Sequence, residues 1–163
     1  MPIVVCIGNE LVADDAVGHE IYARMSQMSL PDVSLEYCGV GGIALLDLLD
    51  GSEQTMIVVD AVCLGAPAGT VHRIDLGELT PADANAISAH GIGLRETMEI
   101  GMALYPERMP KRVTLVGIEG RCFDLPREHM TEAVARATQP AVDEILSLLH
   151  LSRPTTIPAG MNR

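Results

Sequence analysis

The sequence predicts an α/β three-layer sandwich: a twisted, mostly parallel mixed sheet of about five strands flanked by helices. Three observations lead there. Continuous apolar runs of strand length alternate with segments of helical period across some 150 residues. The apolar runs lack polar alternation, as strands buried on both faces do. Most connections leave room for a crossover helix, but the stretch from Thr55 through Gly69 to Ile74 does not. Its two strands are therefore expected to be antiparallel, which makes the sheet mixed.

Taken in order, Ile3–Ile7 is the first strand, and Val17, Ile21, Met25 and Met28 recur at helical spacing after it. Val33–Tyr37 is a second strand, followed by the Gly-rich loop Cys38–Gly42 and a short helix, Ile43–Leu49. Thr55–Val59 is the strongest strand, with Asp60 terminating it, and Thr70–Ile74 alternates as a further one. Leu79–Ser88 is irregular, with Pro81 opening a helical turn. From His90 a helix runs to about Tyr105, its apolar positions being Ile92, Leu94, Met98, Met102 and Leu104. Arg112–Ile118 is the last strand. Thr131 is a candidate N-cap for a long helix whose face is Val134, Ala137, Ala141, Ile145, Leu148 and Leu149. Pro140 either kinks that helix or starts a second one. Residues 1–150 thus read as one α/β domain and 151–163 as a poorly ordered tail.

Composition excludes several classes. The 163 residues are 48% hydrophobic but only 2% aromatic, so the core must be aliphatic. A net charge of −11 opposes nucleic acid and anionic membrane surfaces as partners. Cys6, Cys38, Cys63 and Cys122 form no C-x-x-C pair, which argues against a structural zinc site. Cys6 and Cys63 adjoin apolar runs, where a reduced buried thiol is the default, as in a cytoplasmic protein. The start, Met1-Pro2-Ile3-Val4-Val5, reads as a strand and not as a signal peptide, and no apolar run approaches the ~18 residues of a membrane span.

Chemistry concentrates at the loop Gly8–Gly18, which leaves the first strand and enters a helix. On that loop alone Asp14 is an N-cap and Asp15 a first-turn acid favoured by the helix dipole. Topology adds partners. Ligands of such sheets bind beyond the carboxyl ends of the strands. Asp15 follows the first strand and Asp60 ends the third, and those strands are commonly neighbours. His90 opens a helix whose start should face the same rim. Two carboxylates ~6 Å apart repel by roughly 3 kcal/mol at an effective dielectric of ~20, and a divalent ion turns that into attraction. Two carboxylates and an imidazole suit a transition metal. The bland alternative is a turn-forming Asp60 and an ordinary helix-start His90. His19, His72, His129 and His150 lack a comparable setting, and no histidine pairs with Cys38 as in a nucleophilic triad. Phosphate-loop, dinucleotide, zinc-protease and serine-hydrolase motifs are absent.

Four motifs in order carry a resemblance: Gly8-Asn9-x-Leu11-x-x-Asp14-Asp15-x-x-Gly18, then Val58-Val59-Asp60-Ala61-Val62 with Pro67-Ala68-Gly69-Thr70, then Ser88-x-His90-x-x-Gly93, then Leu115-Val116-Gly117-Ile118-Glu119. Together they resemble the [NiFe]-hydrogenase maturation endopeptidases. That resemblance implies removal of a C-terminal extension from a hydrogenase large-subunit precursor once nickel is inserted. It implies a triad of Asp15, Asp60 and His90 that is catalytic and metal-recognising. The resemblance further implies that the nickel arrives with the precursor and that another divalent ion can visit the free enzyme. It also implies a monomer. Cys38 stands where many members carry the Asp of an Asp-Gly-Gly-Thr loop. Two other functions share these features: a metal-dependent hydrolase of a small substrate, and a non-catalytic metal-sensing chaperone.

Overall fold

The computed structural model of the chain describes residues 1–76 and 93–150. The strands are β1 (Pro2–Cys6), β2 (Ser34–Tyr37), β3 (Thr55–Val62), β4 (Val71–Asp75) and β5 (Arg112–Glu119). The helices are α1 (Val17–Met25), α2 (Leu94–Leu104) and α3 (Glu132–Leu148). One five-stranded sheet has the order β2-β1-β3-β5-β4, with only the β4–β5 pair antiparallel.

Apolar side chains on both faces of the central strands produce two cores. Val4 and Cys6 of β1 with Ile57, Val59 and Ala61 of β3 face α1 and α3. Ile3 and Val5 of β1 with Met56, Val58 and Val62 of β3 face α2 and the 3-10 helix Gly42–Leu48. Each fully buried Val, Ile or Leu contributes about 1.5–3 kcal/mol. The face expected of α3 is buried at Val134, Ala137, Ala141 and Ile145, whereas Leu148 and Leu149 are only partly covered. α3 runs through Pro140 as one helix. Pro140 and Arg136, whose carbonyl loses its helical donor, are both exposed, so water can serve that carbonyl. No helix among the described residues is long and apolar enough to cross a membrane.

The structure corrects several expectations. β4 does run antiparallel, but against β5, which inserts between β3 and β4. β3 does not stop at Asp60: the ladder with β5 continues through Asp60↔Gly117 to Val62↔Glu119. α1 ends at Met25, followed by the turn bond from Met28 N–H to the Met25 carbonyl. The segment after the Gly-rich loop is 3-10 and not α-helical. Cys63 is exposed, while Cys6 is buried and its thiol is pushed up to about 12 by that burial. The helical turn expected near Pro81 and the tail 151–163 lie outside the described residues.

Two close approaches fix how α1 leaves β1. A Cβ at Gly18 would overlap the Ile7 carbonyl oxygen, so the first turn of α1 rests directly on the end of β1. Gly8 has φ +135°, and a Cβ there would overlap the Asp15 carbonyl oxygen.

Asp14 does not cap its own helix. It lies in the 3-10 turn Asp14–Ala16, is 0% exposed and accepts bonds from remote donors. Oδ2 accepts Arg121 N–H at 2.8 Å and Cys122 N–H at 2.9 Å. Oδ1 accepts Thr131 N–H at 2.7 Å and the Thr131 hydroxyl at 2.9 Å. Thr131 is the residue flanking the start of α3, as expected, but its side chain is spent on Asp14 and not on capping.

Two stability outcomes follow. Gly18→Ala forces the Ile7 backbone aside and should cost about 3 kcal/mol in urea unfolding, the upper range of overpacking; a loss under ~0.5 kcal/mol would contradict the close approach. Asp14→Ala strands three backbone N–H groups and should cost about 3–5 kcal/mol. Asp14→Asn should cost less but not be neutral, because its amide nitrogen meets donors. Equal midpoints for wild type and Asp14→Asn would refute this account.

Candidate functional site

Three loops meet beyond the carboxyl ends of β1, β3 and β5. The β1–β3 register, Cys6↔Val59, continues with the bond from Ile7 N–H to the Val59 carbonyl at 2.8 Å. One step further it sets Asp60 beside Ile7. Parity along β3 places Asp60 with Met56, Val58 and Val62, on the α2 side of the sheet. Its side chain belongs to a residue only 7% exposed.

After Ile7 the chain turns sharply. Gly8 N–H donates to the Gly39 carbonyl at 2.6 Å, and the Tyr37 hydroxyl donates to the Gly8 carbonyl at 2.7 Å. Asn9 then organises the return. Its Oδ1 accepts Leu11 N–H at 3.0 Å, and its own N–H donates to Asp15 Oδ2 at 2.8 Å. Asp15 is 3% exposed and is held over Gly8. Asp15 is therefore held just beyond the end of β1, and Asp60 lies in the neighbouring strand β3, beside Ile7.

His90 lies outside the described residues, so its place relative to the carboxylates is not described. What is described is the helix that follows it. Past the C-terminal end of α2, Arg108 Nε donates to the Leu49 carbonyl at 2.7 Å and Lys111 N–H to the Gln54 carbonyl at 3.1 Å, both at the edge where β3 begins. The start of α2 consequently points towards the carboxyl rim, and Leu94 is buried in the same core layer as Ile7 and Val62. Among the described residues no group of three or more His, Cys, Asp or Glu side chains is placed to hold a metal ion.

One acid was present in the sequence motifs without an assigned role. Glu119, at the end of β5, is 3% exposed. Its carboxylate accepts Leu64 N–H at 2.9 Å and Gly65 N–H at 2.8 Å, and it contacts His72 Nε2 at 3.0 Å. It therefore fastens the loop leaving β3, four residues after Asp60. His72 has a setting that sequence inspection denied it. The signal was available in part, since Glu119 is a strand-end acid as Asp60 seemed to be.

The loop Cys38–Gly42 borders the same rim. Burial chiefly pushes the Cys38 thiol up; the backbone N–H of Gly41 works against this and Asp47 adds to it. That environment disfavours the thiolate and hence a nucleophilic role. Gly39, Gly41 and Gly42 all have positive φ, and a Cβ at Gly39 or Gly42 would meet nothing within 4 Å. The backbone there is open to close approach by another chain.

Comparison with known proteins places this arrangement. The hydrogenase maturation protease (HycI) family matches residues 16–148. A Methanocaldococcus jannaschii protein assigned as a hydrogenase maturation protease is 30% identical over 148 residues, 88% of this chain and 93% of that one. The hydrogenase 2 maturation protease of Escherichia coli is 29% identical over 159 residues, 96% of this chain and 94% of that one. Among solved structures, the hydrogenase maturating endopeptidase HybD from E. coli superposes with a TM-score of 0.77 at 29% identity, covering 91% of each chain. The chain belongs to the hydrogenase maturation protease family and is an endopeptidase.

Proposed function

We propose that this endopeptidase removes the C-terminal extension of a [NiFe]-hydrogenase large-subunit precursor after nickel insertion, and that Asp15, Asp60 and His90 recognise the nickel. The observation that supports the reading is that Asp15 and Asp60, both buried, sit near the carboxyl ends of two adjacent parallel strands. Two carboxylates so placed favour a divalent cation. His90 stands three positions before Gly93 in the sequence, and Gly93 flanks the start of α2. Three residues reach at most about 10 Å.

In this reading the nickel belongs to the substrate. Asp15 and Asp60 supply oxygen ligands and His90 an imidazole nitrogen, completing the sphere of an ion held by the precursor. Docking then depends on the metal, which makes nickel insertion the checkpoint for cleavage. The Gly39–Gly42 loop, with its backbone open at Gly39 and Gly42, is where an extended peptide can lie close. Hydrolysis adds water to the scissile carbonyl and breaks the C–N bond, the new amine taking a proton. Water activation belongs at the same centre, through a carboxylate of the pair or through the ion's effect on water acidity. Cytoplasmic location and a monomeric state accompany this proposal.

The test uses a nickel-loaded large-subunit precursor and mass spectrometry. Wild type should shorten the precursor. Asp60→Asn and His90→Ala should lower the rate at least a hundredfold while melting within a few degrees of wild type. Unimpaired cleavage by His90→Ala would remove the triad from the mechanism. A nickel-free precursor should stay intact; if it is cut equally fast, the metal is not the recognition element. Binding without any change of precursor mass would support a metal-sensing chaperone in place of a protease.

A further inference from the structure

We infer that a second cleft, at the opposite edge of the sheet, binds a small organic anion bearing a phosphate or two or more carboxylates. The cleft holds about 590 Å³, within the ~300–1,000 Å³ of ordinary small-molecule sites. It lies where β3 and β5 begin and α3 ends, and Arg73, Lys111, Arg112 and His150 line it together with the hydroxyl residues Thr55 and Ser147. β5 alone separates Arg112 from Glu119 by seven residues, about 23 Å of strand, so this is not the carboxylate rim.

Charge is the main argument. The chain has 11 Lys and Arg against 22 Asp and Glu, and its single lysine is Lys111. Three of those cations nevertheless share one cleft. The lysine ammonium has no ion-pair partner among the described residues. Arg112 Nη2 donates only to the neutral Thr55 hydroxyl, at 3.3 Å. One acid, Asp75, also lines the cleft and accepts the Thr114 hydroxyl at 2.7 Å, and Glu144 meets Arg73 at 3.6 Å in an exposed pair of little strength, so the three cations outnumber these two acids. The alternative is that these cations offset the dipole at the end of α3. That end carries roughly half a negative charge, which three cations exceed. Ile57, Val113 and Leu148 supply apolar lining, which suits the carbon skeleton of an organic anion better than a bare ion.

The single lysine gives a direct readout. Reductive ¹³C-methylation keeps the lysine charge, and the Lys111 resonance is assigned by its loss in Lys111→Arg. Glycerol 3-phosphate and citrate are titrated separately, each against sodium chloride at matched ionic strength. A saturable shift with either probe, weakened at least tenfold in Arg73→Gln/Arg112→Gln, is the expected result, and the probe that saturates identifies the phosphate or carboxylate source. Both arginines are surface residues, and circular dichroism checks that the double variant is folded. An unsaturable response to both probes, an equal shift with chloride, or unchanged affinity in the double variant overturns the proposal. No hydrogenase precursor enters the experiment, so its outcome is independent of the proteolytic reading.

Discussion

The buried carboxylate of Asp14 is the interaction on which the arrangement of the rim depends. Taking such a group out of water costs several kcal/mol unless its oxygens are fully served. Here the loop leaving β5 supplies two backbone N–H donors, and Thr131 at the start of α3 supplies its backbone N–H and its hydroxyl. Hydrogen bonds to a charged group contribute about 1.5–3 kcal/mol each, enough to offset the burial. The consequence is geometric. The turn after β1 is tied at one point to the exit of β5 and the first turn of α3, both more than a hundred residues further along the chain. Glu119 repeats the device one strand over, with β3's exit as its client.

Adjacent acids therefore carry different duties. In a 3-10 turn successive side chains diverge by about 120°. Asp14 consequently turns towards α3, while Asp15 turns back over Gly8 into the loop it belongs to. The glycines permit this: with a side chain at Gly8 or Gly18, the turn could not close onto the end of β1. The proposed recognition chemistry of Asp15 and Asp60 thus rests on a neighbouring acid that takes no part in it.

The parts legible in the sequence were those set by local pattern. β1, β3 and β5 are apolar on both faces, and their continuous runs announced them. The adjacency of β1 and β3, the strands that carry Asp15 and Asp60 to the same end of the sheet, was expected because a doubly wound topology makes it common. Features decided by distant chain were not legible. Nothing around Asp14 names Arg121, Cys122 or Thr131 as its partners. Asp60 looked like a strand terminator because it is charged, yet its backbone stays in the ladder with Gly117 while its side chain reaches the rim region. The segment Gly42–Leu48 shows helical spacing over too short a span to separate 3-10 from α. The basic cleft draws its cations from β4 and from the start of β5, and its other walls from β3 and the end of α3, so no window of sequence displays it.

The insertion of β5 between β3 and β4 has a consequence for the order of assembly. β3 and β4 are separated by only eight residues, yet they are not paired in the folded sheet, where the later-synthesised β5 lies between them. β4 has no partner until β5 has arrived alongside β3. Such non-local pairing is slow relative to local structure formation. During that interval the open side of β3, apolar and rich in unmade backbone bonds, is a template for any other strand. The chain is thus most exposed to misassembly late in its synthesis, before Arg112–Glu119 closes the gap.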